Sequence, residues 1–199
     1  MQIMVLAEAH RAEKDPPAIL VKVNSDVLGL RLTVIDYITE YRIAPVRAIG
    51  ASALYTAFKG IVKAREQLSS QGLEIVVRPG FATVKGAKGD TLTAIVLTCF
   101  AAQVIEPTNC EACESISVFP GTDIWHVAND VKQSISNSRY AAVRAVGAGA
   151  VNQALKGIIQ ARQFWGAQGQ DLIARFGEVW EQGSTEKLVR VMALNCSFL

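Results

Sequence analysis

Along this chain, segments with the apolar pattern of a strand alternate with segments that have the apolar spacing of a helix. Residues 18–24, AILVKVN, are β-branched and apolar, which is typical of a strand. In residues 26–41 the apolar positions recur every three or four residues, which predicts a helix. A second strand at 46–49 and a second helix at about 50–68 follow, the helix marked by a stripe of apolar side chains at the same spacing.

Two further apolar segments, 74–78 and 91–98, predict a third and a fourth strand. The polar residues 85–90 between them predict a hairpin arm. The resulting order is β-α-β-α-β-β. Because both helices carry one apolar face, we expect an α+β fold with the helices packed on one face of a four-stranded sheet.

The same pattern occurs twice. Residues 46–65, VRAIGASALYTAFKGIVKAR, match residues 143–162, VRAVGAGAVNQALKGIIQAR, without a gap at an offset of 97. A period of this length suits a small domain better than a solenoid repeat. The sequence therefore predicts a tandem duplication with domains at 18–100 and 115–199, which we expect to pack together as a pseudo-dimer within the chain and to favour a homo-oligomer.

Details of the second copy support the same element order. A short strand is predicted at 116–119, with Thr122 as the cap of the following helix. The offset of 97 also places Cys99 opposite Cys196, so both are expected to be small buried residues at the ends of matching strands.

The shared run R-A-[IV]-G-A-[SG]-A-[LV]-x-x-A-x-K-G-[IV]-[IV]-x-A-R, with the strand that follows it, resembles the core of the stage V sporulation protein S family. That family is in turn similar to the Alba fold. The resemblance covers nearly all of each copy and implies a non-enzymatic regulatory protein that binds DNA or RNA. Alba proteins usually act as dimers, with basic residues after the first strand, at the start of the second helix and on the hairpin arm.

This chain departs from the Alba pattern at two of those three places. The first loop holds Ser25-Asp26 in copy one and Gly121-Thr122 in copy two, where Alba proteins have paired lysines. The second helix begins with Ala51-Ser52 and Ala148-Gly149, where they have an arginine. The arm of copy one keeps basic residues.

Charge is spread unevenly over the two copies. Residues 18–100 carry a net charge of +4, residues 115–199 carry +2, and the whole chain carries +2. We therefore expect copy one to dominate any binding of nucleic acid through phosphate contacts, which would depend on salt. The candidate residues for these contacts are Lys59, Lys63, Arg78, Lys85, Lys88, Lys156 and Arg175.

Other readings of these positions stay open. Tyr55, Lys59 and Lys63 share one helix face, which suits either a phosphate-facing stripe or an ordinary solvated face. Arg65 and Arg162 are expected to end their helices, where a cation interacts favourably with the helix dipole.

The turns at Gly50 and Gly147 favour tight helix packing over phosphate binding, because no complete nucleotide-binding motif surrounds them. No cofactor is therefore expected. Copy two alone contains tryptophans, which are expected in the core or in an interface: Trp125, Trp165 and Trp180.

Little in the sequence indicates catalysis or metal binding. Cys110 and Cys113 form a single C-x-x-C pair with no second ligand pair, so reduced thiols are favoured over a metal site, and any redox role is open. No nucleophile–base pair is apparent. The absence of a long apolar run or signal pattern predicts a cytoplasmic protein. The alternative function is a protein-interaction or scaffold module that assembles with itself and does not bind nucleic acid.

Overall fold

A computed structural model describes residues 3–5, 16–86, 89–104, 115–181 and 184–195. The chain begins with β1 (Ile3–Val5). Copy one then contains β2 (Ile19–Val21), α1 (Val27–Tyr41), β3 (Ile43–Ala48), α2 (Ala51–Ser69), β4 (Glu74–Lys85) and β5 (Thr91–Val104). Copy two contains β6 (Ser115–Val118), α3 (Ile124–Ser138), β7 (Tyr140–Ala145), α4 (Gly147–Gly166), β8 (Gln170–Glu181) and β9 (Ser184–Asn195).

The strands form one continuous sheet in the order β2-β3-β5-β4-β8-β9-β7-β6, and β1 pairs with the end of β5. Within each copy the first two strands are parallel and the other pairs are antiparallel. The predicted β-α-β-α-β-β order and the α+β class are thereby confirmed. The second strand of each copy begins three residues earlier than predicted, and the hairpin strands are longer than their apolar segments.

The two copies meet at β4 and β8, where Val77 lies opposite Ala174. These residues are 97 positions apart, so they are equivalent residues of the repeat. A pair of equivalent residues lies on a local two-fold axis, and the inter-copy contact is therefore isologous, as in a symmetric dimer.

The core follows from the alternation of side chains along the strands. Ile75 and Val77 join a large buried cluster with residues of all four helices, whereas Val76 belongs to a smaller cluster with Phe100 and Ile173. Because neighbouring strand residues point to opposite faces, the helices cover one face of the sheet and the smaller cluster lies on the other.

Each copy starts its first helix in the same way. Asp26 caps α1 by accepting hydrogen bonds from the backbone N–H groups of Leu28 and Gly29, at 3.1 and 2.7 Å. In copy two the cap is Asp123, so the expected cap at Thr122 is wrong. The Thr122 hydroxyl instead accepts a bond from the backbone N–H of Phe119.

The hairpin arm differs between the copies and changes the offset of the repeat. Ala44 pairs with Cys99, but its equivalent Ala141 pairs with Val191, so the offset after the arm is 92. The β8–β9 hairpin is thus five residues shorter than the β4–β5 hairpin. The expected match of Cys99 with Cys196 is therefore wrong, and Cys196 lies outside the described residues.

Two expectations about single side chains have different outcomes. Cys99 is fully buried, as predicted, and burial raises the pKa of its thiol. Trp125 is 63% exposed, which excludes the core, and its expected place in an interface stays a prediction. Trp165 packs on the large cluster, and the side chain of Trp180 lies outside the described part of the chain.

Two features are absent from the described ranges. None of the helices there combines the length and apolar composition needed to span a membrane. Among the same residues no three histidine, cysteine or acidic side chains cluster as metal ligands would. Cys110 and Cys113 lie outside the described ranges.

Candidate nucleic-acid interface

A cleft of about 500 Å³ opens at the start of α2 in copy one. Three basic side chains line it: Lys22 directly after β2, Arg47 on β3, and Lys85 at the end of β4. We call this site the basic cleft. Its floor is the turn from β3 into α2, around Gly50 and Ala51.

The local fold explains why these side chains converge. Gly50 has a φ of 84°, a left-handed backbone conformation that favours glycine, and this lets the chain turn sharply from β3 into α2. Val46 and Ala48 point into the helix-covered core, so Arg47 between them points to the other face. The hairpin arm is long enough to bring Lys85 beside the turn.

All the ionisable side chains described in the lining of the basic cleft are basic. Its lining contains no acidic residue, and no ion pair joins Lys22, Arg47 or Lys85 to another side chain in the described part of the chain. Lys22 and Lys85 are exposed and Arg47 is half-buried. Three cations without a protein counter-ion can bind phosphate groups.

Exposed apolar residues lie among these cations. Leu20 is 61% exposed, Val23 66% and Ile49 47%, and all three line the basic cleft. Such a surface offers apolar contact to a base or sugar next to a bound phosphate.

The equivalent surface of copy two is less basic and carries more exposed apolar side chains nearby. Phe119 replaces Lys22, and Arg144, which replaces Arg47, lies 3.9 Å from the carboxylate of Glu186. Phe119 is 68% exposed, Trp125 63% and Val146 51%. The two copies therefore present different chemistry at the same place in the fold.

The residues predicted from the sequence do not form one surface. Lys85 lies in the basic cleft, Lys63 is exposed on α2, and the ammonium of Lys59 lies 5.0 Å from the ring centre of Tyr55. Lys156 lines a separate cavity between the copies. Lys88 lies outside the described residues.

Arg78 and Arg175 lie at the contact between the copies, in a group that we call the arginine cluster. Glu74 is bound by Arg65 at 2.8 Å and by Arg175 of the other copy at 2.7 Å. The equivalent Asp171 is bound by Arg162 and lies 3.9 Å from Arg78. The cluster repeats about the local two-fold axis.

Arg65 and Arg162 also bond across the copies. Arg65 donates to the carbonyl oxygen of Phe176 at 2.8 Å, and Arg162 donates to that of Pro79 at 3.3 Å. Neither arginine lies in the last turn of its helix. The expectation that they act through the helix dipole is therefore wrong, because their guanidinium groups bind the other copy.

Burial changes the pKa values of two arginines in this cluster. It lowers the pKa of Arg65 and Arg78, while the attraction of Glu74 and Asp171, respectively, opposes the shift. Arginine keeps its charge over the accessible pH range, so the guanidinium groups of the cluster stay charged.

Sequence reasoning missed two residues of the basic cleft. Lys22 lies three residues before the Ser25-Asp26 signal, and the short β2 makes it the first residue of the loop in which Alba proteins carry lysines. Arg47 belongs to the repeated R-A-[IV]-G run and was visible there. Only the fold shows that both reach the same cleft as Lys85.

Comparison with known proteins agrees with this geometry. The family model described as stage V sporulation protein S matches residues 18–102 and again residues 114–193. No curated protein matches the chain. Since the two matched segments cover most of the sequence and correspond to the two copies of the fold, the chain belongs to the stage V sporulation protein S family as a tandem duplication.

Proposed function

We propose that this protein is a non-enzymatic regulator that binds RNA or DNA through the basic cleft of copy one. The observation that carries the proposal is the convergence of Lys22, Arg47 and Lys85 on one cleft without a neutralising acid. These cations occupy or adjoin the places where the resemblance to Alba proteins implies nucleic-acid contacts. Lys59, Lys63 and Lys88 extend the basic character of the same copy.

Copy two contributes less to this binding. Its equivalent surface has Phe119 in place of a lysine, and Arg144 faces Glu186. A carboxylate beside a cation offsets part of its attraction for phosphate, so we expect most of the affinity in copy one.

A salt titration tests the proposal. Binding of the full chain to generic RNA and duplex DNA is measured from low to moderate salt, for the parent and for Lys22→Ala with Lys85→Ala. Each lost phosphate contact should flatten the logarithmic salt dependence on DNA by about 0.9. The double variant should therefore bind all sequences more weakly, with a slope reduced by about two.

The matched control removes two lysines from copy two, Lys132→Ala with Lys156→Ala. Both double variants change the net charge equally, so a general charge effect would weaken them alike. If the control binds nucleic acid as tightly as the parent, this supports the basic cleft as the binding site. Absence of binding by the parent at low salt, or equal loss in both variants, would contradict the proposal.

A second function is favoured by the exposed residues Phe119, Trp125 and Val146 of copy two. Large apolar side chains exposed on a surface favour protein contacts, which suits a module that assembles with itself. If this surface drives assembly, Phe119→Ser with Trp125→Ser should shift sedimentation of the full chain towards the monomer. An unchanged sedimentation coefficient would reject this function.

A further inference from the structure

A second cavity, of about 460 Å³, lies between the two copies. Copy one contributes the turn from β3 into α2 and the hairpin residues Phe81, Thr93 and Ile95. Copy two contributes Ile124 and two residues of α4, Asn152 and Lys156. We call this space the inter-copy cavity.

The position related to this cavity by the local two-fold axis holds an ion pair between protein side chains. There, Glu178 and Lys187 stand in place of Phe81 and Ile95, by the offsets of 97 and 92. The Lys187 ammonium lies 2.5 Å from the Glu178 carboxylate, and only 4% of the lysine is exposed.

The ring of Tyr55 lies close to two lysine ammonium groups at this position. The Lys187 ammonium lies 5.8 Å from the ring centre of Tyr55, which stands in place of Asn152. Lys59, the equivalent of Lys156, lies 5.0 Å from the same ring. Each charged group at this position therefore has a partner within the protein.

Lys156 has no such partner. Among the described residues, Lys156 is the only ionisable one that lines the inter-copy cavity, and no ion pair or hydrogen bond connects its ammonium to another of them. The amide of Asn152, one helical turn away, lies on the same helix face. The opposite wall is apolar, formed by Leu54, Phe81 and Ile95.

We propose that the inter-copy cavity binds a small organic anion, in which a phosphate or carboxylate group meets Lys156 and Asn152 and a flat apolar body packs against Phe81. The volume lies within the usual range of small-molecule sites, and one charged group at the end of an apolar cavity is their common design. The asymmetry between the two equivalent positions supports the assignment, because at one of them the lysine is paired with a protein carboxylate and at the other Lys156 faces an open cavity.

The test uses 1-naphthyl phosphate, which carries both features, with inorganic phosphate and 1-naphthol as probes that each carry one. Calorimetric titration of the full chain should show one naphthyl phosphate site per chain, and at least about tenfold weaker binding of each partial probe. Because the cations of the basic cleft can also bind phosphate, the titration is repeated with Lys22→Ala and Lys85→Ala combined, and this variant should keep the same site and affinity.

Two variants locate the site. Lys156→Met keeps the aliphatic stem and removes the charge, and should weaken naphthyl phosphate binding at least about tenfold. The matched control is Lys59→Met, which removes the equivalent lysine beside Tyr55 and should leave the affinity unchanged.

A third variant introduces into the inter-copy cavity the ion pair that the equivalent position holds. Phe81→Glu with Ile95→Lys should close the inter-copy cavity with an ion pair and abolish binding, while circular dichroism reports whether the fold is kept. If this variant does not fold, the comparison of Lys156→Met with Lys59→Met decides alone. No binding to the parent, equal binding of naphthol, or equal affinities of the two lysine variants would overturn the proposal.

Discussion

Glu74 shows what a single buried charge does in this protein. Its side chain is 5% exposed and is bound by Arg65 of its own copy and by Arg175 of the other. Removing one member of a buried ion pair leaves the remaining charges without a partner. Glu74→Ala should therefore lower the free energy of unfolding by about 3–5 kcal/mol, measured by urea denaturation.

The control for this prediction is Asp36→Ala, which removes an exposed carboxylate from α1. It should change the free energy of unfolding by no more than about 0.5 kcal/mol. Similar losses in both variants would mean that net charge, and not the arginine cluster, sets the stability.

Individual residues were the hardest feature to predict from the sequence. The recurrence of Arg65 with Arg162 and of Arg78 with Arg175 was visible, but their partners are acids of the other copy, brought together only by the pairing of β4 with β8. A repeat shows which residues are equivalent. It does not show that they face one another across a two-fold axis.

At the scale of elements, the second helix of each copy packs very closely on the first. A Cβ atom added to Gly60 would lie 2.6 Å from the side chain of Leu30, and one added to Gly157 would lie 2.5 Å from that of Val127. Gly60→Ala and Gly157→Ala should each lower the free energy of unfolding by about 1–3 kcal/mol, because inserted volume forces neighbours out of place. Gly157→Ala should lower the free energy of unfolding more than Gly60→Ala, because the β-branched side chain of Val127 has few alternative rotamers.

The comparison is Gly166→Ala in the same helix as Gly157, where the added Cβ would meet nothing within 4 Å. Alanine stabilises helices relative to glycine, so this variant should equal or exceed the parent in a urea titration. If Gly157→Ala is as stable as Gly166→Ala, the helices are less tightly packed than the structure indicates.

Helices and strands were predictable where their hydrophobic pattern is strong. All four helices and the eight strands of the two copies follow from periodicity, and the repeat confirms each assignment by its counterpart. The residues after the hairpin arm could not be matched between the copies from the sequence. The arm of copy two is shorter, which shifts the offset from 97 to 92. The apolar strand residues that follow can be aligned with one another at several registers. Strand pairing, not residue identity, identified Lys187 as the equivalent of Ile95.

At the scale of the whole molecule, the contact between the copies is self-complementary. Residues 16–104 carry Arg65, Glu74 and Arg78, which are the groups that a second identical copy would need to rebuild the arginine cluster. This segment expressed alone should therefore form a homodimer, with Val77 opposite Val77, measured by sedimentation equilibrium.

The variant Glu74→Arg in that segment tests the mechanism. It brings like charges together across the two-fold axis, so the dimer should dissociate to monomer. A folded monomer of the unmodified segment, or a dimer that is unaffected by the substitution, would contradict this account of the contact.

The differences between the two positions related by the local axis have a consequence for how such a protein can change. In a dimer of separate identical chains, every substitution appears twice, so a favourable change at one position is also imposed on the other. Joining the copies in one gene removes that constraint, and Glu178 and Lys187 could fill one position while Phe81 and Ile95 left the other open. In a fused chain, a substitution in one copy therefore leaves the equivalent position of the other copy unchanged.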